Sequence, residues 1–364
     1  MSVTRLSRDC RKVACLNAAT VNPTTSHYGA GAAGLIGGFL VSPQLPAQEI
    51  GADQAAAWLQ ARSSGDAAPG TGSDFLWLHF SLAHTGCLPW LHDHATLASE
   101  FFDTLGDGLH STRIERTEES LIAVINDVHF DFMFEPSDIS TLWISVEDHL
   151  IVTARRQPLR SVDKLRRAVR NGELLRSSAD LLEHLLRAQA DVLVDIVRSV
   201  TERVDAIEDQ LLAGRLQHRR ARIGALRRLL VRLQRLLAPE PGAFFRLLQH
   251  PPRWMAEADV QELRQSSEEF SVVLRDMATL QERIKLLQEE IAAEVNEGNN
   301  RSLFVLTIVT VLALPINIIA GLLGTNVGGL PLAQHPHGFW IVVAIVLSFT
   351  VVAGWIAFHR QRSR

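Results

Sequence analysis

Thr307, Thr310, Asn317 and Gly321 follow one another at steps of 3, 7 and 4. On a helix that spacing puts them on one face, continued by Leu303, Leu306 and Leu314. All seven lie in an uncharged apolar run, Leu303–Leu323, where a polar amide is costly unless it faces protein or water. Two readings are open: the polar groups join neighbouring helices as packing contacts, or they line a water-accessible stripe. In the second, hydroxyl and amide oxygens act as neutral ligands for a cation that keeps much of its water. The run holds no Cys, His, Asp or Glu, the ligands a dehydrated Zn²⁺ normally takes, so an ion would pass it at least partly hydrated. At one end of the stripe, Leu303 and Leu306 would form apolar rings able to gate by dewetting.

The element that must position this stripe is a helix long enough to cross a hydrocarbon core of roughly 30 Å. A second such run, Phe339–Phe358, follows after the uncharged connector 324–338, which begins Gly324-Thr325-Asn326-Val327-Gly328-Gly329-Leu330-Pro331. Arg301 precedes the first run, and Arg360, Arg362 and Arg364 follow the second. By the positive-inside rule both termini are cytoplasmic, the connector faces outward, and the protein is a multi-pass protein of the cell's inner membrane. Gly324, Thr325 and Asn326 would close the outer end of the stripe, with His335 and His337 beyond them as weak candidates for direct metal ligands. Two spans per chain cannot enclose a pore, so the stripe reading requires several copies.

Upstream, Leu263, Phe270, Met277, Ile284 and Ile291 repeat at seven residues, with Val273, Leu280 and Leu287 at companion positions. This predicts a stalk helix over 253–302 running into the first span (303–323). Residues 161–252 read as helices only: Ser177–Leu212 carries apolar residues at steps of three and four. Gly214–Leu237 is strongly basic, and we read its arginines as a solvated face pairing with the acidic helix before it. Residues 34–160 read as an α+β domain on a small sheet, with strands near Leu35–Val41, Phe75–Phe80, Ser111–Arg116, Leu121–Val128, Thr141–Val146 and His149–Ala154. A helical patch is expected at Leu88–Leu105, and turns at Asn126-Asp127 and Glu147-Asp148. Residues 1–33 are expected to be poorly ordered or to precede the true start, and 359–364 to form a basic tail. Cys10, Cys15 and Cys87 are expected as free thiols. A net charge of −4 selects no nucleic-acid partner.

Other motifs are weak. Gly29-Ala30-Gly31-Ala32-Ala33-Gly34 fits the dinucleotide fingerprint, but no strand precedes it and Gly37-Gly38 argues against a following helix. His92 and His94 are read as surface residues, and nothing points to an enzyme or a bound cofactor.

Two terminal spans, a long charged helix feeding the first, a preceding α/β region and a Gly-x-Asn turn together resemble the CorA-type divalent metal ion transporters. The loop Gly324-Thr325-Asn326-Val327-Gly328-Gly329-Leu330-Pro331 is similar to that of the ZntB-like zinc branch, rather than to the Gly-Met-Asn loop of the magnesium branch. Leu142-Trp143-Ile144 and Arg155-Arg156-Gln157-Pro158-Leu159-Arg160 resemble that branch too. Thr325 stands where a larger apolar residue is common. The resemblance implies a funnel-shaped homopentamer with a central pore, and Zn²⁺ transport coupled to protons. Carried over position by position, it implies a selectivity filter at Gly324-Thr325-Asn326 and pore residues Asn326, Gly324, Asn317, Thr310 and Leu303, to which the spacing adds Leu306, Thr307, Leu314 and Gly321. A Mg²⁺, Co²⁺ or Ni²⁺ channel gated by cytoplasmic metal is the alternative, although no acidic cluster stands out for that role. A membrane-tethered scaffold is a third class.

Overall fold

A computed structural model of the chain describes residues 31–43, 45–64, 74–106, 112–117, 119–133, 138–212, 219–323 and 336–362, with only the backbone at 32, 212, 219, 220, 315, 320, 322, 323, 353, 354 and 356–362. It divides into two compact units, Met1–Lys285 and Leu286–Arg364.

The first unit is built on strands β1 (Leu35–Val41), β2 (Gln48–Ile50), β3 (Phe75–Ser81), β4 (Arg113–Arg116), β5 (Leu121–Val128), β6 (Ile139–Val146) and β7 (Leu150–Arg155). They form one seven-stranded sheet in the order β2-β1-β3-β7-β6-β5-β4, antiparallel throughout except for the parallel pair β3–β7. The sheet is larger than the sequence suggested. Its central strands are apolar on both sides because both faces are covered. Trp77, Ile144 and Ile151 point to one face and Leu76, Trp143 and Val152 to the other.

Helices α1 (Ala52–Ser63), α2 (Cys87–His94) and α3 (Ser99–Gly106) cover the second of these faces through Ala55, Trp90, Leu91 and Phe101. The expected single helix over Leu88–Leu105 is thus two, separated at residues 95–98. On the other face lie α4 (Arg160–Arg170), α5 (Ser178–Leu212), α6 (Arg219–Leu237), α7 (Pro239–Leu247) and the start of α8 (Glu257–Leu323). Val162, Leu165, Leu181, Leu185, Phe244, Val260 and Leu263 fill the core beneath them. Gly172 ends α4 at φ +94°, where a side chain would be strained, and receives a turn in which Glu173 donates back to the Ala168 carbonyl.

One expectation is corrected here. Asn126-Asp127 is no turn: both residues are buried inside β5, where Asp127 accepts from the amide and hydroxyl of Ser161 at 2.9 and 2.7 Å and so caps α4. The acidic side of α5 also meets α8, where Arg283 pairs with Asp205 at 2.7 Å and with Glu208, and Arg222, Arg228, Arg232 and Arg235 of α6 are exposed. The glycine-rich run ends in a 3-10 turn (Ala32–Gly34) followed by a strand, and a Cβ on Gly38 would lie 2.7 Å from the Ile50 carbonyl oxygen, so that glycine serves the close approach of β1 and β2. Residues 1–30, with Cys10 and Cys15, lie outside the described residues, and Cys87 is a buried free thiol.

α8 is one helix of 67 residues. It begins at Glu257, because the segment from Pro251 to Ala256 is non-helical. Leu263, Phe270, Met277 and Ile284 are buried, as their heptad spacing requires. The second unit comprises the rest of α8 and α9 (Gly338–Arg362).

Candidate functional site

At 100° per residue, about 3.6 residues per turn, Leu303, Leu306, Thr307, Thr310, Leu314, Asn317 and Gly321 share one strip of α8, and each is exposed. The Thr307 hydroxyl donates to the Leu303 carbonyl at 2.8 Å and Thr310 to the Leu306 carbonyl at 2.9 Å. Each hydroxyl has one proton to give, and these bonds use it within the helix. What remains directed away from the backbone is oxygen lone pair, an acceptor for water or a cation. Gly321 adds no bulk, and nothing lies within 4 Å of where its Cβ would be.

The apolar members of the strip are bare: Leu303, Leu306 and Leu314 are 61%, 63% and 58% exposed. So are Val305, Val309 and Val311 elsewhere around the same helix, and Phe339, Trp340 and Ile345 on α9. Apolar surface of this extent demands a cover other than water. Among the described residues, α8 is the helix long and apolar enough to cross a membrane, and Gly338–Val352 of α9 is a shorter apolar stretch.

Of the other expected site residues, Gly324, Thr325, Asn326 and His335 lie outside the described residues. His337 is exposed, and its carbonyl accepts from the Ile341 amide at 3.2 Å at the start of α9. His92 stacks on Phe102 with ring centres 3.9 Å apart and His94 meets the edge of Trp90, each exposed on α2.

The first unit holds a cluster that the sequence reading overlooked. Ligand atoms of Asp180, Glu183 and His184, on the first turns of α5, lie within 4.8 Å of one another. The spacing Asp-x-x-Glu-His was the available signal. The two carboxylates are nevertheless already engaged. Arg176 contacts Asp180 at 2.9 Å, Arg187 contacts Glu183 at 2.6 Å, and Ser266 of α8 also bonds Glu183. Burial alone would raise both carboxyls, but hydrogen bonds from Arg176 to Asp180, and from His184 and Ser266 to Glu183, outweigh it and hold them below the usual range. The bond to Glu183 pushes His184 up to about 9 despite its partial burial. With Arg176 also bonded to Glu262 and Ser177 to Asp259 at 3.0 Å, the cluster works as an ionic lock between α5 and α8.

A second buried carboxylate, Glu240 on α7, accepts from the Asn126 amide at 2.9 Å and the Gln189 side chain at 2.9 Å, joining β5, α5 and α7. Burial pushes Glu240 up to about 8 and neighbouring Asp127 to about 6, so Glu240 holds a proton at neutral pH. Farther along the sheet, Arg155 donates to His79 Nε2 at 2.8 Å, which places the His79 proton on Nδ1, toward Thr153 Oγ1 at 2.9 Å. Burial and the adjacent Arg155 keep that imidazole neutral. These groups fasten helices to the sheet.

The family model described as "CorA-like Mg2+ transporter protein" matches residues 72–360. The divalent cation transporter CmaX of Pseudomonas aeruginosa is 27% identical over 331 residues, covering 90% of this chain and 96% of that protein. The zinc transport protein ZntB of Pectobacterium atrosepticum is 22% identical over 288 residues, covering 79% and 87%. The solved structure of full-length CmaX aligns with a TM-score of 0.72 at 26% identity, covering 90% of this chain and 98% of that one. With a family match spanning most of its length and a similar fold in a solved relative, the chain belongs to the CorA-like Mg2+ transporter family.

Proposed function

We propose that the chain is a membrane-spanning subunit of a divalent-cation transporter, in which several copies bring their α8 strips together around a path for hydrated ions. The observation that carries this reading is the strip itself: threonine hydroxyls whose protons are spent on Leu303 and Leu306 carbonyls present only acceptor oxygens, on the same face as Asn317. An acceptor-lined, uncharged wall favours a cation that retains water. The family match and the relative named a divalent cation transporter support the same class.

The finer reading is Zn²⁺ as cargo, coupled to protons, through a homopentamer in the inner membrane with α9 as second span and both termini cytoplasmic. It is supported by the Gly324-Thr325-Asn326-Val327-Gly328-Gly329 loop sequence, by the ZntB relative and by the flanking arginines. A Mg²⁺, Co²⁺ or Ni²⁺ channel gated by cytoplasmic metal is the second reading, favoured by the family description. In either case Asn326 serves as the outer filter. Asn326→Ala is expected to abolish metal uptake while leaving the assembled size unchanged; normal uptake in that variant would remove the filter role.

A further inference from the structure

Arg160, Lys164 and Arg167 of α4 and Asn171 at its C-terminal end recur at steps of 4, 3 and 4 and line an open surface cavity of about 600 Å³ bordered by Phe130 and by Val192 of α5. Phe130 is fixed there by the backbone: its amide donates to the Pro158 carbonyl at 2.9 Å, and His129 bridges to Leu159. Aromatic faces hold both guanidinium groups in place. The Arg160 guanidinium carbon lies 5.9 Å from the centre of the Phe132 ring, and that of Arg167 lies 5.7 Å from the centre of Phe130. Each donates one side-chain hydrogen bond, Arg160 to the Phe130 carbonyl and Arg167 to the Asp163 carbonyl, both at 3.2 Å. A guanidinium has five N–H donors, so most of theirs are unspent, and among the described residues neither is matched with a carboxylate. Lys164 pairs with Asp191 at 2.7 Å, and Asp195 is the carboxylate in the wall. Even with both acids counted, the three cations leave the cavity positive.

Preoriented guanidiniums with spare donors suit bidentate recognition of a phosphate, while Phe130 and Val192 offer an apolar wall to an organic group. The volume falls in the range of small-molecule sites. We propose that this cavity binds a soluble phosphomonoester of about mononucleotide size, with Arg160 and Arg167 gripping the phosphate and Lys164 exchanging Asp191 for it. Because that exchange releases a contact between α4 and α5, occupancy would be felt by the helical layer of the first unit. The site is separate from the α8 strip and stands whether or not the transport reading does.

Titration calorimetry on the full chain in neutral-detergent micelles, with adenosine monophosphate, pyrophosphate and adenosine as probes, tests it. Saturable binding of the two phosphates and none of adenosine is expected. Arg160→Gln and Arg167→Gln should each weaken binding about tenfold or more, the scale of one lost charge-assisted hydrogen bond. Arg232→Gln on the exposed face of α6 should leave it unchanged. No saturable binding of either phosphate, or equal affinity in all variants, would overturn the proposal. So would binding confined to phosphatidic acid vesicles, which would assign the cavity to lipid headgroups. A change of oligomeric size in the α4 variants without any phosphate binding would make the face a contact between copies and overturn it as well.

Discussion

At the scale of single residues, the hydroxyl protons of Thr307 and Thr310 decide the chemistry of the strip. With both spent inside the helix, the outward oxygens can only accept. Thr310→Val keeps the shape and removes that oxygen, so a several-fold loss of cation flux with unchanged assembly is expected from uptake assays. Leu303, which carries no polar atom, is assigned to the constriction. Leu303→Asp should hydrate it and raise the resting leak several-fold in liposome conductance recordings, and an unchanged leak would remove Leu303 from the gate. That these seven residues share one face of α8 was legible in the sequence, because their period alone places them there. Asp127 was not: an Asn-Asp pair is a common turn signal, and only the fold reveals that Ser161 and the start of α4 stand opposite to receive it. Asp127→Ala should cost about 1–2 kcal/mol in thermal unfolding as a lost helix cap.

At the scale of elements, α7 is held by a carboxyl that is protonated in the folded chain. Glu240 titrates near 8 when folded against an ordinary value of 4.5. Between those values the folded state therefore binds more protons than the unfolded state, and stability falls as pH rises from about 4.5 to about 8. His184, raised to about 9 from 6.5, adds to that decline, its contribution being complete below 6.5 and lost as pH passes 9. Glu240→Gln, which imitates the neutral acid, should flatten the first part of the decline in melting temperature. A variant as steep as the wild type would show that Glu240 does not carry the proton. Strands β1, β5 and the heptad face of α8 could be read from apolar pattern, since each buries a continuous run or a strict repeat. Helices α1 and α7 could not. The first is alanine-rich with a single fully buried residue, and the second is anchored by Glu240, whose burial no local pattern announces. The pairing of α5 with α8 was likewise hidden, because Arg283 is distant in sequence from Asp205 and Glu208.

At the scale of the whole molecule, a single chain leaves the apolar surfaces of α8 and α9 bare, and the bilayer together with further copies of the chain is the cover that the proposed function supplies. The central claim is that such an assembly moves divalent cations along the α8 strip. The direct measurement is metal flux into proteoliposomes of the purified protein carrying a Zn²⁺ dye and a pH dye, with Mg²⁺ and Ni²⁺ run in parallel and Asn317→Ala as the strip variant. Zn²⁺ entry that rises with a proton gradient and falls in Asn317→Ala is the predicted result. Mg²⁺ flux without Zn²⁺ would move the protein to the channel reading, and no flux of any of these metals would contradict the account.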